Sequence, residues 1–195
     1  MLIPVDDMTH VFHIEENERR MWQNPEAILR QIGLKPDHVF ADIGCNDGFF
    51  AIPAARMAGE KGKVWGVDVD AEALERLKEK AKKEGLGNIR LKFGEAENTI
   101  FCEGCVDIVF FGIDLHDFRD PLRVLENARR MLKPGGKLVD LDWKKRSTAG
   151  IGPPVEMRFS EKQASKLIEK AGFRVESVKD SRAWHYLIMA KPMVV

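Results

Sequence analysis

The chain has 195 residues, 44% of them hydrophobic, and its 31 Lys plus Arg balance 31 Asp plus Glu to a formal net charge of zero. That length suits one domain with a sizeable core. A neutral balance supplies no polycationic field for gathering nucleic acid, and no apolar run approaches the ~18 residues of a membrane helix, so neither nucleic acid nor membrane is expected as a partner.

In chain order, residues 1–23 carry no regular pattern and are expected either to form a lid or to pack on the body through Phe12, His13 and Trp22. The opening MLIPVDDMTH lacks a basic stretch followed by an apolar one, so no export signal is expected. Asn24-Pro25 starts a short helix, PEAILRQIG. The first strand, HVFADI (38–43), runs into the glycine-punctuated turn DIGCNDG and the helical stretch FFAIPAARMAG. GKVWGVDV (62–69) is the second strand. Asp70 is the N-cap candidate of a helix that repeats Ala73, Leu74, Leu77 and Ala81 at helical spacing and stops at Gly85. NIRLKF (88–93) and VDIVFFGI (106–113) are the third and fourth strands. Asp120 before Pro121 opens the next helix, which Lys133-Pro134-Gly135 ends. GKLVDLDW (136–143) is the fifth strand, and the irregular KKRSTAGIGPPVEM (144–157) follows it. Ser160 with Gln163 forms a capping box ahead of Ala164, Leu167, Ile168 and Ala171 on one helix face. FRVESVK (173–179) and AWHYLIMA (183–190) close the chain, with so short a link that an antiparallel pair is expected.

Alternating strand and helix predicts an α/β fold: a doubly wound, mostly parallel, seven-stranded Rossmann-like sheet with right-handed crossovers and one antiparallel strand near the edge. One domain is expected over residues 1–195, with its core in 24–190 and no internal repeat.

In such a sheet ligands bind beyond the carboxyl ends of the strands, where strand order reverses. Asp42, Gly44 and Gly48 stand at the end of the first strand. Asp68 ends the second, about 20 residues after Gly48, near the spacing at which a carboxylate meets ribose hydroxyls. Charge then separates two ligands. A dinucleotide brings an anionic pyrophosphate, disfavoured by Asp42 before the turn and Asp47 within it. S-adenosylmethionine carries a sulfonium and an ammonium, which carboxylates favour.

With DIGCNDG, GVDVD, GEAEN, VDIVFFGIDLHDFRDP and MLKPGGKLV in this order, the chain resembles the class I S-adenosylmethionine-dependent methyltransferases, and within them the small-molecule enzymes similar to those of ubiquinone and menaquinone biosynthesis. The resemblance covers roughly residues 24–190. It implies that Asp42, Gly44 and Gly48 surround the methionine part of the cofactor, that Asp68 with Val69 holds the ribose, that Glu95 and Ala96 flank the adenine, and that Gly112 completes the site. The family usually has glycine where Asn46 stands and aspartate where Glu95 stands. Asn is the non-glycine residue that best tolerates a positive φ, so the turn survives, with the Asn46 side chain close to the methionine.

The segment IDLHDF (113–118) lies just past the fourth strand, where the methyl group should face the acceptor. Asp114, His116 and Asp117 are the candidate catalytic residues. His116 is favoured as the base because imidazole titrates near neutrality; the plain alternative is that it hydrogen-bonds the following loop. The three cysteines form an odd set, which reads as reduced thiols in a cytoplasm. Cys102 and Cys105 lack a second pair at zinc spacing and are expected as two ordinary thiols. No metal is expected, although Asp114, Asp140 and Asp142 stand at strand ends where a catechol-type site needs carboxylates. KEKAKKE (78–84) is a solvated helix face, and KKR (144–146) a surface loop. The expected function is methyl transfer to a small-molecule acceptor in the cytoplasm. Its rivals are an NAD-dependent oxidoreductase and a non-catalytic cofactor-binding module.

Overall fold

A computed structural model describes residues 16–146 and 152–193. Its elements in chain order are α1 (Glu16–Trp22), α2 (Pro25–Gln31), β1 (Val39–Ile43), α3 (Ala51–Ala58), β2 (Lys63–Asp68), α4 (Ala71–Lys83), β3 (Ile89–Phe93), β4 (Val106–Gly112), α5 (Pro121–Met131), β5 (Leu132–Trp143), α6 (Glu161–Lys170), β6 (Phe173–Ser181) and β7 (His185–Pro192). Single 3₁₀ turns occupy Ala96–Asn98 and Leu115–Asp117.

The helices start where side chains can satisfy their free N–H groups. Asp70 accepts from the backbone of Glu72 and Ala73, and Asp120 from that of Arg123 ahead of Pro121. Asn24 accepts from Ala27 N, and Ser160 and Gln163 close a reciprocal capping box.

Seven strands form one sheet in the order β3-β2-β1-β4-β5-β7-β6. All neighbours through β5 pair in parallel, whereas β7 runs antiparallel to both β5 and β6. The single reversed strand therefore lies next to the edge, as its short link to β6 implied. Strand order reverses between β1 and β4, which opens a crevice at their carboxyl ends.

Alternation along the strands sends side chains to two cores. Phe40, Phe110, Val139 and Leu187 pack against α2, α3 and α4, while Ala41, Val109, Phe111, Leu138 and Ile188 pack against α5 and α6. Phe40, Phe50 and Phe110 form a chain of rings 4.6–5.7 Å apart. Burying each side chain of this size stabilises by about 1.5–3 kcal/mol, so the sheet under the crevice is a stiff platform.

Three local features differ from the sequence reading. A helix, α1, occupies the end of the segment expected to lack pattern; residues 1–15, including Phe12 and His13, lie outside the described residues. Lys133-Pro134-Gly135 ends α5 as expected, but the chain turns straight into extended pairing, so β5 begins at Leu132 opposite Val106, with a register shift before Ile108. Cys102 and Cys105 are joined in a disulfide across the turn before β4, where two separate thiols were expected; Cys45 is the free cysteine. The C-x-x-C spacing brings both sulfurs to one side of a turn whose Gly104 holds a positive φ of 60°.

Candidate functional site

The loop after β1 is built to hook over the end of β2. Gly44 N and Cys45 N both donate to Val67 O, at 2.9 and 3.1 Å, and Gly48 N closes the turn on Cys45 O. Asn46 holds φ at 44°, a left-handed conformation that Asn tolerates better than other side-chain-bearing residues. Its backbone N–H donates to Asp68 Oδ2 at 2.7 Å, and its side-chain oxygen accepts from Asp47 N at 2.7 Å. The Asn46 amide oxygen is thus engaged in its own turn. Asp68 Oδ1 accepts from Asp70 N, so two backbone groups fix the carboxylate at the end of β2.

Gly44 is required sterically. A Cβ there would stand 2.7 Å from Asp114 Cγ, because the Asp114 carboxyl lies flat against this glycine. The approach comes from the far side of the crevice, where β4 ends. Gly112 packs against the Phe50 ring, and Ile113, a β-branched residue, is held at φ 74° with its N–H on Leu141 O. Such a conformation costs on the order of 1–3 kcal/mol. It turns the chain so that Asp114 points back over β1.

Asp42, 2% exposed, lies beneath the same loop and accepts from Ala51 N. Burial pushes its pKa up to about 8; the charge of Asp68 adds to the rise, and Arg19 opposes it. Asp114 is likewise raised well above the usual carboxylate range, by burial first and then by Asp68. Asp47, which supplied half of the charge argument from sequence, is turned away: its carboxylate pairs with Lys80 at 2.8 Å, and Lys80 also reaches Glu16.

One residue of this pocket escaped the sequence reading. Arg19, from α1, lays its guanidinium 4.0 Å over the Phe49 ring and donates from Nε to Gln23 Oε1 at 2.7 Å. Burial lowers its pKa to about 10, against the charges of Asp114, Asp42 and Asp47. No motif marks this arginine; its only signal is a position shortly before the helix that precedes β1. Three buried polar atoms at this site lack hydrogen-bond partners among the described residues: Arg19 Nη2, Asp42 Oδ2 and Asp114 Oδ2. A buried unpaired group costs about 1–3 kcal/mol, more when charged, so these atoms are poised for a ligand bearing both an anionic and a cationic group. The methionine end of S-adenosylmethionine carries both, and the donor set fits it.

The adenine-side candidates stand across β2. Val69 is 63% exposed, and Glu95 caps the 3₁₀ turn that holds Ala96, its carboxylate accepting from Asn98 Nδ2 at 2.8 Å. Val69 follows β2 and Glu95 follows β3, both exposed, whereas Ala96 is buried.

The acceptor-side candidates do not share one environment. The His116 side chain is 1% exposed, with Nδ1 2.8 Å from the buried Asp142 and Nε2 3.2 Å from Asp117 Oδ1, while the Asp117 side chain is 53% exposed. Asp140, completely buried one pleat below Asp142, has a pKa raised well above normal by burial and then by the charge of Asp142. Among the described residues no group of three or more His, Cys, Asp or Glu side chains is arranged to hold a metal ion. Trp22 stacks on His185 with ring centroids 5.3 Å apart and lies 5.4 Å from Trp143, forming an aromatic wall at the end of β5. Arg158 sits over Trp143 and donates to the carbonyls of Pro153, Lys144 and Arg146. Among the described residues no helix is long and apolar enough to cross a membrane.

Comparison with known proteins bears on the fold and the family. A crystal structure of a SAM-dependent methyltransferase from Aquifex aeolicus superimposes with a TM-score of 0.83 at 31% identity, covering 91% of this chain and 98% of that one. A putative type 11 methyltransferase from Sulfolobus solfataricus gives 0.74 at 26% identity over 89% and 95% of the two chains. Among curated proteins, the demethylmenaquinone methyltransferase of Geobacillus kaustophilus (strain HTA426) is 32% identical over 124 residues, 64% of this chain and 53% of that protein. The corresponding enzyme of Bacillus subtilis (strain 168) is 29% identical over 70% and 57% of the two chains. The chain thus spans about half the length of the curated relatives it matches. The profile of the ubiE/COQ5 methyltransferase family matches residues 4–162. With the S-adenosylmethionine-dependent methyltransferase fold and a pocket suited to that cofactor, the chain belongs to the ubiE/COQ5 methyltransferase family.

Proposed function

We propose that the protein transfers the methyl group of S-adenosylmethionine to a small-molecule acceptor of the hydroquinone type. The observation that carries this reading is the convergence of unpartnered Arg19 Nη2 with unpartnered Asp42 Oδ2 and Asp114 Oδ2 in one buried pocket. In it Arg19 takes the cofactor's carboxylate, and Asp42 and Asp114 take the ammonium and face the sulfonium. Gly44, Asn46, Gly48 and Gly112 shape the loops that border the cofactor, Asp68 and Val69 hold the ribose, and Glu95 and Ala96 flank the adenine. A pyrophosphate in the same place brings no cation to ionise and pair with Asp42 and Asp114, which disfavours NAD.

The cofactor, when bound, supplies an activated methyl group. The chain's own task is to align a nucleophile with it and exclude water, which can contribute on the order of 7–11 kcal/mol. The hydroquinone class is supported by the names of the curated relatives, which are demethylmenaquinone methyltransferases.

Thermal melts with S-adenosylmethionine and with NAD test the cofactor: ligand at 100 times its dissociation constant adds about 2.7 kcal/mol of stability. A shift with NAD alone would sink the reading. A labelled-methyl screen over quinols, catechols and other small acceptors then tests the substrate class, and incorporation confined to acceptors without an aromatic hydroxyl would remove it.

A further inference from the structure

We propose that Asp117 is the proton-accepting carboxylate that faces the methyl acceptor, and that His116 and Asp142 stand behind it as a positioning pair. This assignment rests on the methyltransferase reading and names the groups of its acceptor side.

The geometry orders the three residues from the core outward. Asp142, with its side chain fully buried on β5, is fixed at both oxygens: Oδ1 accepts from Trp143 N at 2.7 Å, and Oδ2 lies 2.8 Å from His116 Nδ1. The imidazole is almost as deeply buried. Its outer nitrogen, Nε2, lies 3.2 Å from Asp117 Oδ1, an ion-pair distance without hydrogen-bond alignment. Only Asp117, half exposed at the end of the 3₁₀ turn, presents its carboxylate to a molecule arriving from solvent.

The carboxylates of Asp142 and Asp117 beside the ring favour its protonated form, and with its side chain 1% exposed the imidazole is closed off from an acceptor arriving from solvent. Three charged groups face it: Asp142 from β5, Asp117 from its own turn, and Arg158 from the segment after β5. Burial pulls the His116 pKa down and Arg158 opposes the charged form, but the hydrogen bond and charge of Asp142, helped by Asp117, outweigh both, and the net shift is upward. Asp117 is raised too, by burial first and by the charge of Asp142, with His116 opposing, which makes it a better proton acceptor than an ordinary surface carboxylate. Asp114 is spoken for: its carboxyl packs on Gly44 inside the cofactor pocket.

In the step this implies, an Asp117 oxygen takes the acidic proton of the acceptor while that atom's electron pair forms the bond to the methyl carbon. The carbon–sulfur bond breaks with its pair left on sulfur, and Asp117 then gives the proton to water. The His116–Asp142 pair neither gains nor loses a proton; the charge of His116 favours the ionised form of Asp117 between turnovers.

Two measurements on the intact protein test the proposal. In an NMR titration of the His116 ring nitrogens, the ring loses its proton at a pH above the ordinary ~6.5, and Asp142→Asn lowers the apparent pKa by about one unit or more. Asp117→Asn, a substitution at a half-exposed site, lowers it as well. With the acceptor identified by methyl incorporation, Asp117→Asn lowers kcat by roughly 10²–10⁴-fold, leaves the KM for S-adenosylmethionine unchanged, and is partly rescued by Asp117→Glu. A neutral His116 ring at pH 7 in the unmodified protein, or an Asp117→Asn variant turning over at the original rate, overturns the proposal. Failure of the methyltransferase reading looks different: the protein then binds no S-adenosylmethionine, and the His116 titration, which involves no cofactor, still decides on the positioning pair.

Discussion

Asn46 donates its backbone N–H to Asp68 Oδ2 across 2.7 Å, and this bond ties the glycine loop after β1 to the carboxylate that ends β2. The two motifs lie 22 positions apart in the chain, yet they set each other's geometry. The donor reaches Asp68 because the backbone at Asn46 is left-handed, with φ 44°. Asn46→Gly should therefore leave the fold intact and cofactor affinity within about twofold, since glycine adopts this conformation without strain. Asn46→Val should cost about 1–2 kcal/mol of stability and loosen the loop. Urea melts and titration calorimetry measure both, and a large affinity loss in the glycine variant would show that the Asn side chain contacts the ligand.

On the proposed reading Asp68 serves two purposes, so its removal should read out twice. As a structural group it accepts from Asn46 N and Asp70 N; as a ligand group it has lone pairs left for a ribose. Asp68→Ala should lose up to about 1.5–3 kcal/mol of cofactor affinity for each charge-assisted hydrogen bond to the ribose, and some stability as well. Asp68→Asn is the sharper variant, because an amide keeps the shape and one acceptor oxygen. Calorimetry showing unchanged affinity for either variant would remove Asp68 from the site.

Much of the architecture was legible because it is written in local rules. Asp70, Asp120 and Ser160 cap the helices they were expected to cap, and the short link after β6 could only return as an antiparallel strand. Other features were illegible for physical reasons. Helix α1 is held by contacts distant in sequence, Arg19 on Phe49 and Lys80 on Glu16, so its seven residues carry too little periodicity of their own to announce it. Nothing in IDLHDF signals that a β-branched Ile113 would take φ 74° and swing Asp114 onto Gly44. Residue type singled out His116 as a base; it could not foresee the carboxylate of Asp142, supplied by a strand 26 positions away. Charge counted along the DIGCNDG turn was also misleading in detail, because Lys80 neutralises Asp47 while Asp114 supplies the carboxyl that faces the pocket.

Stability should fall with rising pH through the neutral range. Asp42 keeps its proton in the folded protein up to about pH 8, because burial disfavours its charge, whereas an unfolded aspartate loses it near ~3.9. Between those values the folded state binds more protons than the unfolded state, so the contribution of Asp42 to stability is present at low pH and lost as pH rises towards 8. Asp114 acts in the same direction. A ligand ammonium favours the ionised carboxyl and drives the proton off. Binding of S-adenosylmethionine at pH 7 should thus release protons, seen as a buffer-dependent heat in calorimetry, and Asp42→Asn should diminish the release. Binding heats that are identical across buffers of different ionisation enthalpy would contradict this account.

Arg19 gives the most direct test of how the pocket is assembled. Its guanidinium is the cation that opposes the raised pKa values of Asp42 and Asp114, and its Nη2 has no hydrogen-bond partner among the described residues. Arg19→Met keeps much of the apolar contact with Phe49 while deleting the charge. If the guanidinium holds the cofactor's carboxylate, affinity should fall by roughly 1.5–3 kcal/mol, ten- to more than a hundredfold. The same substitution should raise the Asp42 pKa further, because burial would then act with less opposition. Stability should respond in the opposite sense to affinity or hardly at all, since the variant no longer buries an unpaired guanidinium nitrogen. Arg19→Lys separates charge from shape: an ammonium restores the charge but not the planar fork that also donates to Gln23. Its affinity should lie between those of the Met variant and the unmodified protein. Equal affinities in all three would mean that α1 covers the pocket without contributing a ligand to it.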